Sequence, residues 1–177
     1  MTGGIAEGKS TVLGYLREMG YRVASGDDIA RRVFESEPVQ AALAVLLGQE
    51  PPVEPSHLRD AISESHATRR AANRLLHPAI LKALDAEPAD FVEVPLLLET
   101  CIQGRFGRVW VVTCGEQEQL RRLIARLGDE ERARRLVDIQ LSASVKTAFA
   151  DEIVRTNQSE SAVRANVAAA VAREFNG

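Results

Sequence analysis

Met1-Thr2-Gly3-Gly4-Ile5-Ala6-Glu7-Gly8-Lys9-Ser10-Thr11 is the stretch that decides the fold of this chain. Residues 3–10 satisfy the pattern G-x-x-x-x-G-K-[ST] at every fixed position, and Val12, Leu13, Leu16 and Met19 then recur at helical spacing until Gly20. The spacing has a chemical reason. Glycines let the backbone curl closely around a phosphate, exposed amides form a nest for an anion, and the following helix adds its positive N-terminal end. Lys9 is then expected to reach the β- and γ-phosphates of a nucleotide, and the Ser10 hydroxyl to bind Mg²⁺. The plain alternative is a glycine-rich turn capping a helix, with Lys9 and Ser10 solvated. Such a loop normally follows a buried strand, yet only Met1 and Thr2 precede Gly3. The first strand is therefore expected to be truncated and the loop poorly anchored.

The chain has 177 residues, 45% of them hydrophobic, which suffices for one core with a small inserted subdomain. A formal charge of -3 and a pI near 5.7 argue against a nucleic-acid partner. Cys101 and Cys114 have neither C-x-x-C spacing nor neighbouring histidines, so zinc and a disulfide framework are not indicated. No run approaches the roughly 20 apolar residues needed to cross a bilayer, and the first residues lack a basic, then apolar, leader. The expectation is a cytoplasmic protein without a membrane partner.

Further along, the pattern predicts strands over residues 21–24, 91–94, 109–114 and 152–157. The third is an unbroken apolar run of the kind buried on both faces of a parallel sheet. Helices are expected over 29–34, 39–47, 57–86, 117–127, 129–141 and 160–175, with Pro78 starting a new helix or kinking the old one. Residues 48–55, with three prolines, are a loop. Strands alternating with helices imply right-handed βαβ units and an α/β fold around a parallel sheet. Asp27 and Asp28 fall at the end of the strand over 21–24, and strand ends are where α/β sites are built. Asp27 is there either the helix N-cap or a group able to accept a hydroxyl proton, and Asp28 is a solvated first-turn acid. Arg122 and Arg126, four apart, share one helix face. They clamp polyphosphate or, like the arginines around them, are solvated and paired with acids.

At this point the chain resembles the dephospho-coenzyme A kinases. The resemblance is carried by T-G-G-I-x-x-G-K-S-T at the start, Gly26-Asp27-Asp28-Ile29-Ala30-Arg31, His77-Pro78 with Ile80, and Val94-Pro95-Leu96-Leu97-Leu98-Glu99. Gln119, Arg122, Arg126, Gln140, Lys146, Ala150-Asp151 and Asn157 follow in the family's order. It implies a single domain over 1–177 with the three-layer P-loop NTPase fold, a helical acceptor-binding region at 35–90 and a lid at 117–145. It also implies ATP and Mg²⁺ as cosubstrate and metal, and transfer of the γ-phosphoryl group to the ribose 3′-hydroxyl of dephospho-CoA. Gly4, Ile5, Ala6, Glu7, Gly8, Lys9, Ser10, Thr11 and Arg126 would hold ATP. Asp27, Lys9 and Arg122 would be catalytic, and His77, Pro95, Leu96 and Glu99 would meet the acceptor. His77 packed beside a helix start, and Glu99 belonging simply to the core, are the alternatives. Another nucleoside or nucleotide kinase, or a nucleotide-binding protein impaired in catalysis, are the competing functions. Three departures stand out: Ser25 where the family has an Asp, Pro55 near a usual arginine, and Ala6-Glu7 within the loop. A carboxylate at Glu7 would repel phosphates unless it points outward.

Overall fold

In the computed structural model, which describes residues 1–175, the chain runs in order as α1 (Lys9–Glu18), β1 (Val23–Ser25), α2 (Gly26–Glu35), α3 (Glu37–Leu47), α4 (Pro55–Glu64), α5 (His66–Asp85), β2 (Phe91–Glu93), β3 (Trp110–Thr113), α6 (Glu116–Leu127), α7 (Glu130–Asp138), α8 (Ala143–Thr147), β4 (Glu152–Arg155) and α9 (Glu160–Phe175). It divides into two compact units, one made of Met1–Ala24 with the chain from Ala89 onward, the other of Ser25–Pro88.

The first unit is an α/β layer structure. Strand β3 is buried along its whole length and pairs in parallel with β4, Trp110 opposite Glu152 and Thr113 opposite Arg155. A strand covered on both faces needs apolar side chains at successive positions, which is why this run carries no alternation. On one face Val12 and Leu16 of α1, and Val163 and Val167 of α9, pack with Phe91, Trp110, Val112 and Val154. Phe91 meets Trp110 edge-on at 5.1 Å between ring centres, the arrangement favoured by aromatic quadrupoles.

No strand precedes the loop among the described residues, but the slot is not empty. Met1 nitrogen donates to Val92 O at 2.7 Å, and Val94 N donates to Met1 O at 2.9 Å. On the opposite side Thr2 N donates to Trp110 O at 2.8 Å, and Val112 N donates to Thr2 O at 2.9 Å. Both pairs follow the pattern of a parallel bridge. Since β1 pairs with β2, the order across the sheet is β1, β2, Met1-Thr2, β3, β4. Two residues thus join what are otherwise two separate strand pairs.

The second unit is helical. Helix α5 packs against α2, α3 and α4, and Val39, Leu43, Val53, Leu58 and Ala72 form its core. The expected break at Pro78 does not occur, because α5 runs through it. Proline removes one interior hydrogen bond, and contacts with three neighbouring helices hold the remaining turns. The break falls instead at Ser65, whose hydroxyl accepts from Thr68 N at 3.2 Å and caps α5. In the first unit, α7 stops at Asp138 rather than near Leu141, and Ser142 starts the unanticipated α8 by accepting from Val145 N at 3.4 Å.

Candidate active site

The loop between Thr2 and α1 has the shape its glycines allow. A Cβ at Gly3 would run into the Val112 carbonyl, so only glycine passes this close to β3. Gly8, the N-cap of α1, sits at φ 92° and offers no side-chain cap. Ala6 also takes the left-handed conformation, at φ 62°. In the first turn Thr11 N donates to Gly8 O at 3.1 Å, and the helix dipole adds to the attraction of this end, which has no side-chain cap, for an anion. Lys9 lies back across the loop: Nζ donates to Gly3 O at 3.0 Å and Gly4 O at 2.8 Å, and is 3.9 Å from Glu93 Oε1. Ser10 and Thr11 are exposed.

Glu7 points into the protein. It is 1% exposed, and its carboxylate accepts from Gly4 N and, at 2.9 Å, from Thr113 Oγ1. The side chain is turned inward, not outward, and its bonds to Gly4 and Thr113 overturn the expectation of a poorly anchored loop. Further anchors come from elsewhere. Thr156 Oγ1 donates to Glu7 O at 2.7 Å, Gln119 Nε2 donates to Ile5 O at 3.0 Å, and Ile5 N donates to Gln140 Oε1 at 3.0 Å. Side chains from the ends of β3 and β4, from α6 and from the segment after α7 all converge on two loop residues, Ile5 and Glu7.

Arg122 is half-buried and engaged. Nη2 donates to Thr156 O at 2.7 Å, Nη1 to Thr156 Oγ1 at 3.2 Å, and Nε to Glu118 Oε1 at 2.7 Å. Hydrogen bonds from Arg121 and then Arg122 hold the Glu118 carboxyl down to about 2. Arg126, one turn further, is exposed and has no hydrogen bond or ion pair among the described residues. An open cleft of about 560 Å³ lies beside the loop, lined by Gly8, Thr11, Tyr15, Arg122, Thr156 and Gln158 among others.

In the segment after β2, Pro95 O accepts from Thr2 Oγ1 at 3.1 Å, Leu96 is exposed, and Leu97 and Leu98 are buried. Glu99 is bound within the protein. Its Oε1 lies 2.9 Å from Nζ of the fully buried Lys146 and accepts from Leu141 N at 3.1 Å. Burial raises this carboxyl, but the hydrogen bonds from Lys146 and the Leu141 amide outweigh it and leave the pKa lowered.

The second unit carries the remaining expected residues. Ser25, not Asp27, caps α2, its hydroxyl accepting from Asp28 N at 3.3 Å. The N-cap alternative for Asp27 therefore fails, and its exposed carboxylate has no hydrogen bond or ion pair among the described residues. Asp28 pairs with Arg31 at 2.7 Å, as a first-turn acid does. His77 and Pro78 lie on the exposed side of α5.

Sequence reasoning missed Glu93 and gave no role to Thr113, Thr156, Gln119 or Gln140. An acid at the end of a sheet strand just before Pro95 was a usable signal for Glu93. The others are single polar residues whose partners lie far away in the chain, which no local pattern reveals.

A glycine-rich loop of the G-x-x-x-x-G-K-[ST] pattern at the end of a parallel sheet, leading into a helix without a side-chain cap and backed by an arginine-bearing helix, marks the class of P-loop phosphotransferases. The family model for dephospho-CoA kinase matches residues 1–162. The dephospho-CoA kinase of Syntrophotalea carbinolica is 35% identical, covering 100% of this chain and 92% of the relative. That of Shouchella clausii is 32% identical, covering 89% and 88%. Among solved structures, TT1252 from Thermus thermophilus superposes with a TM-score of 0.81 at 26% identity, covering 99% of this chain and 96% of that one. The dephospho-CoA kinase from Campylobacter jejuni gives 0.69 at 25% identity over the same shares, 99% and 96%. The chain belongs to the dephospho-CoA kinase family, phosphotransferases of the last step of coenzyme A synthesis. No helix among the described residues is long and apolar enough to cross a membrane.

Proposed function

We propose that this chain transfers the γ-phosphoryl group of ATP to the ribose 3′-hydroxyl of dephospho-CoA in the cytoplasm, with Lys9, Asp27 and Arg122 as its catalytic groups. The observation that carries the assignment of roles is Lys9 folded onto the Gly3 and Gly4 carbonyls beside the uncapped start of α1. Two backbone carbonyls and the Glu93 carboxylate, 3.9 Å away, hold this cation at the loop, where phosphate oxygens would bind it as charged partners.

The residues from Gly4 to Thr11 surround the polyphosphate, Gly4 and Ile5 by shaping the loop, since their amides are committed to Glu7 and Gln140, and the cleft beside Gly8 and Arg122 takes the nucleoside. Arg122, held in place by Thr156 and Glu118, and Arg126, unengaged on the next turn, neutralise charge on the phosphates. His77, Pro95 and Leu96 face the acceptor. Glu99, committed to Lys146 and Leu141, acts by holding the Pro95-Leu96 segment in place. Asp27 accepts the proton of the 3′-hydroxyl as its oxygen bonds to phosphorus and the bond to the β-phosphate oxygen breaks, yielding ADP. The residues present suit Mg²⁺: Ser10 has an exposed hydroxyl, and no group of three His, Cys, Asp or Glu is assembled among the described residues. Such a site fits an ion that keeps waters and leans on substrate phosphates. Mg²⁺ held at Ser10 would supply further charge neutralisation.

The test is production of CoA and ADP from ATP, Mg²⁺ and dephospho-CoA. Lys9→Ala and Asp27→Asn should each lose at least about a hundredfold in kcat/KM while unfolding cooperatively like the parent. ADP release that ignores dephospho-CoA would overturn the acceptor assignment, and an unchanged rate in either variant would remove that residue's role.

A further inference from the structure

We propose that Gln119 and Gln140 are positioning residues which lock the two peptide planes flanking Ile5 and so set the loop's geometry for ATP. This rests on the reading above that residues 4–11 hold the nucleotide. The N–H on one side of Ile5 donates to Gln140 Oε1 at 3.0 Å, and the C=O on its other side accepts from Gln119 Nε2 at 3.0 Å. A residue with both neighbouring planes pinned has neither of its soft dihedrals free. The conformation fixed in this way feeds directly into Ala6, whose φ of 62° is disfavoured for any side-chain-bearing residue.

The two glutamines come from opposite ends of the arginine-bearing segment. Gln119 is 5% exposed in the first turns of α6, its own amide donating to Gly115 O at 2.9 Å. Gln140 follows the end of α7. Both line a cleft of about 350 Å³ with Arg134, Asp138 and Leu141. Gln119 also packs so closely that a Cβ at Gly4 would lie 2.5 Å from its Nε2. Where the α6–α7 segment, with Arg122 and Arg126 on α6, enters and leaves, each root grips the same loop residue. The segment that neutralises the phosphates thereby orients the loop that binds them.

Backbone chemistry fixes the direction of each side-chain amide. Ile5 N–H requires an acceptor at Gln140, and Ile5 C=O requires a donor at Gln119. A carboxylate can replace the first and cannot replace the second. The test uses Gln119→Met and Gln140→Met, which keep shape and remove the amide, beside Gln140→Glu and Gln119→Glu. CoA formation is measured at about 0.15 M salt, where an added charge is screened beyond about 8 Å.

Each methionine variant should raise KM for ATP about fivefold, the factor set by one hydrogen bond of ordinary strength, and leave KM for dephospho-CoA within about twofold. Gln140→Glu should return to within about twofold of the parent, whereas Gln119→Glu should not. Because Gln119→Glu also places a carboxylate near buried Glu7, failure to fold is covered by Gln119→Met, which decides the donor role alone. The proposal is overturned by an unchanged KM for ATP in the methionine variants, by equal changes in both KM values, or by equal recovery in the two glutamate variants. If the parent makes no CoA, the transfer reading fails separately, and calorimetric ATP binding to the same variants then decides the clamp.

Discussion

Removing the Glu7 carboxylate should damage the fold by a calculable amount. The group is 1% exposed and accepts from two donors, Gly4 N and Thr113 Oγ1. Glu7→Ala orphans the Gly4 amide, at about 1–3 kcal/mol for a buried unsatisfied group. Thr113 Oγ1 keeps the bond it accepts from Gly115 N at 3.1 Å, so only its proton is stranded, at the low end of that range. Together with lost packing the loss is about 3 kcal/mol, or a fall in Tm of about 6–12 °C for a chain of this length. Glu7→Gln should be far milder. Its oxygen accepts from Gly4 N, while its amide donates to a lone pair of Thr113 Oγ1, whose hydroxyl turns to suit. About 1 kcal/mol then covers the exchange of a charged acceptor for a neutral one. Calorimetric melting with urea unfolding of the three proteins measures the series. A loss under 1 kcal/mol in Glu7→Ala, or equal losses in both variants, would refute the inward brace.

Lys146→Met should destabilise by about 3 kcal/mol, because it strands Glu99 without its counter-charge. Adding Glu99→Leu should restore most of that loss in urea titrations; a double variant no better than the single would mean the pair does not act as one unit. Acid should weaken the native state from the carboxylate side. Glu99 and Glu118 both sit below the usual 4.5, Glu118 down to about 2. The unfolded chain therefore binds more protons, so these contributions are complete above about pH 4.5 and are lost as pH falls toward 2. A urea midpoint that stays constant from pH 6 to 3 would contradict this. In thiol titration of the native protein, exposed Cys101 should react promptly. Cys114, 2% exposed and with burial pushing its thiol pKa up, should wait for unfolding. Two prompt equivalents would show that the end of β3 is open to solvent.

What the sequence made legible was what depends on neighbours along the chain. The loop motif needs only eight adjacent positions, and β3 declares itself because burial on both faces forces an unbroken apolar run. Helix α9 was readable over its full extent, 160–175, for a similar reason: Ser159 opens it, its hydroxyl accepting from Ala162 N at 3.3 Å, and apolar periodicity runs on from there. Pro78 misled because proline's cost is local and fixed, whereas the gain from packing α5 against three helices is spread over residues far from it. Glu7 misled for the opposite reason. Its charge is visible at once, but its two partners are Gly4, which offers only a backbone amide, and Thr113, over a hundred residues away. The Glu99 pairing with Lys146 was not legible either, because no charge pattern announces the complete burial of Lys146.

Met1 and Thr2 supply one backbone bridge to each neighbouring strand, so this pairing sets the loop's direction and its curvature falls to other contacts. The curvature is held by Glu7 to Thr113, Thr156 to the Glu7 carbonyl, and the two glutamines on Ile5. Thr156 also accepts from Arg122, and the glutamines sit at the two ends of the α6–α7 segment, whose α6 carries Arg122 and Arg126. Anchoring the loop and placing the positive charges proposed for ATP are therefore tasks of the same residues. A substitution at Thr156 or either glutamine should change both together.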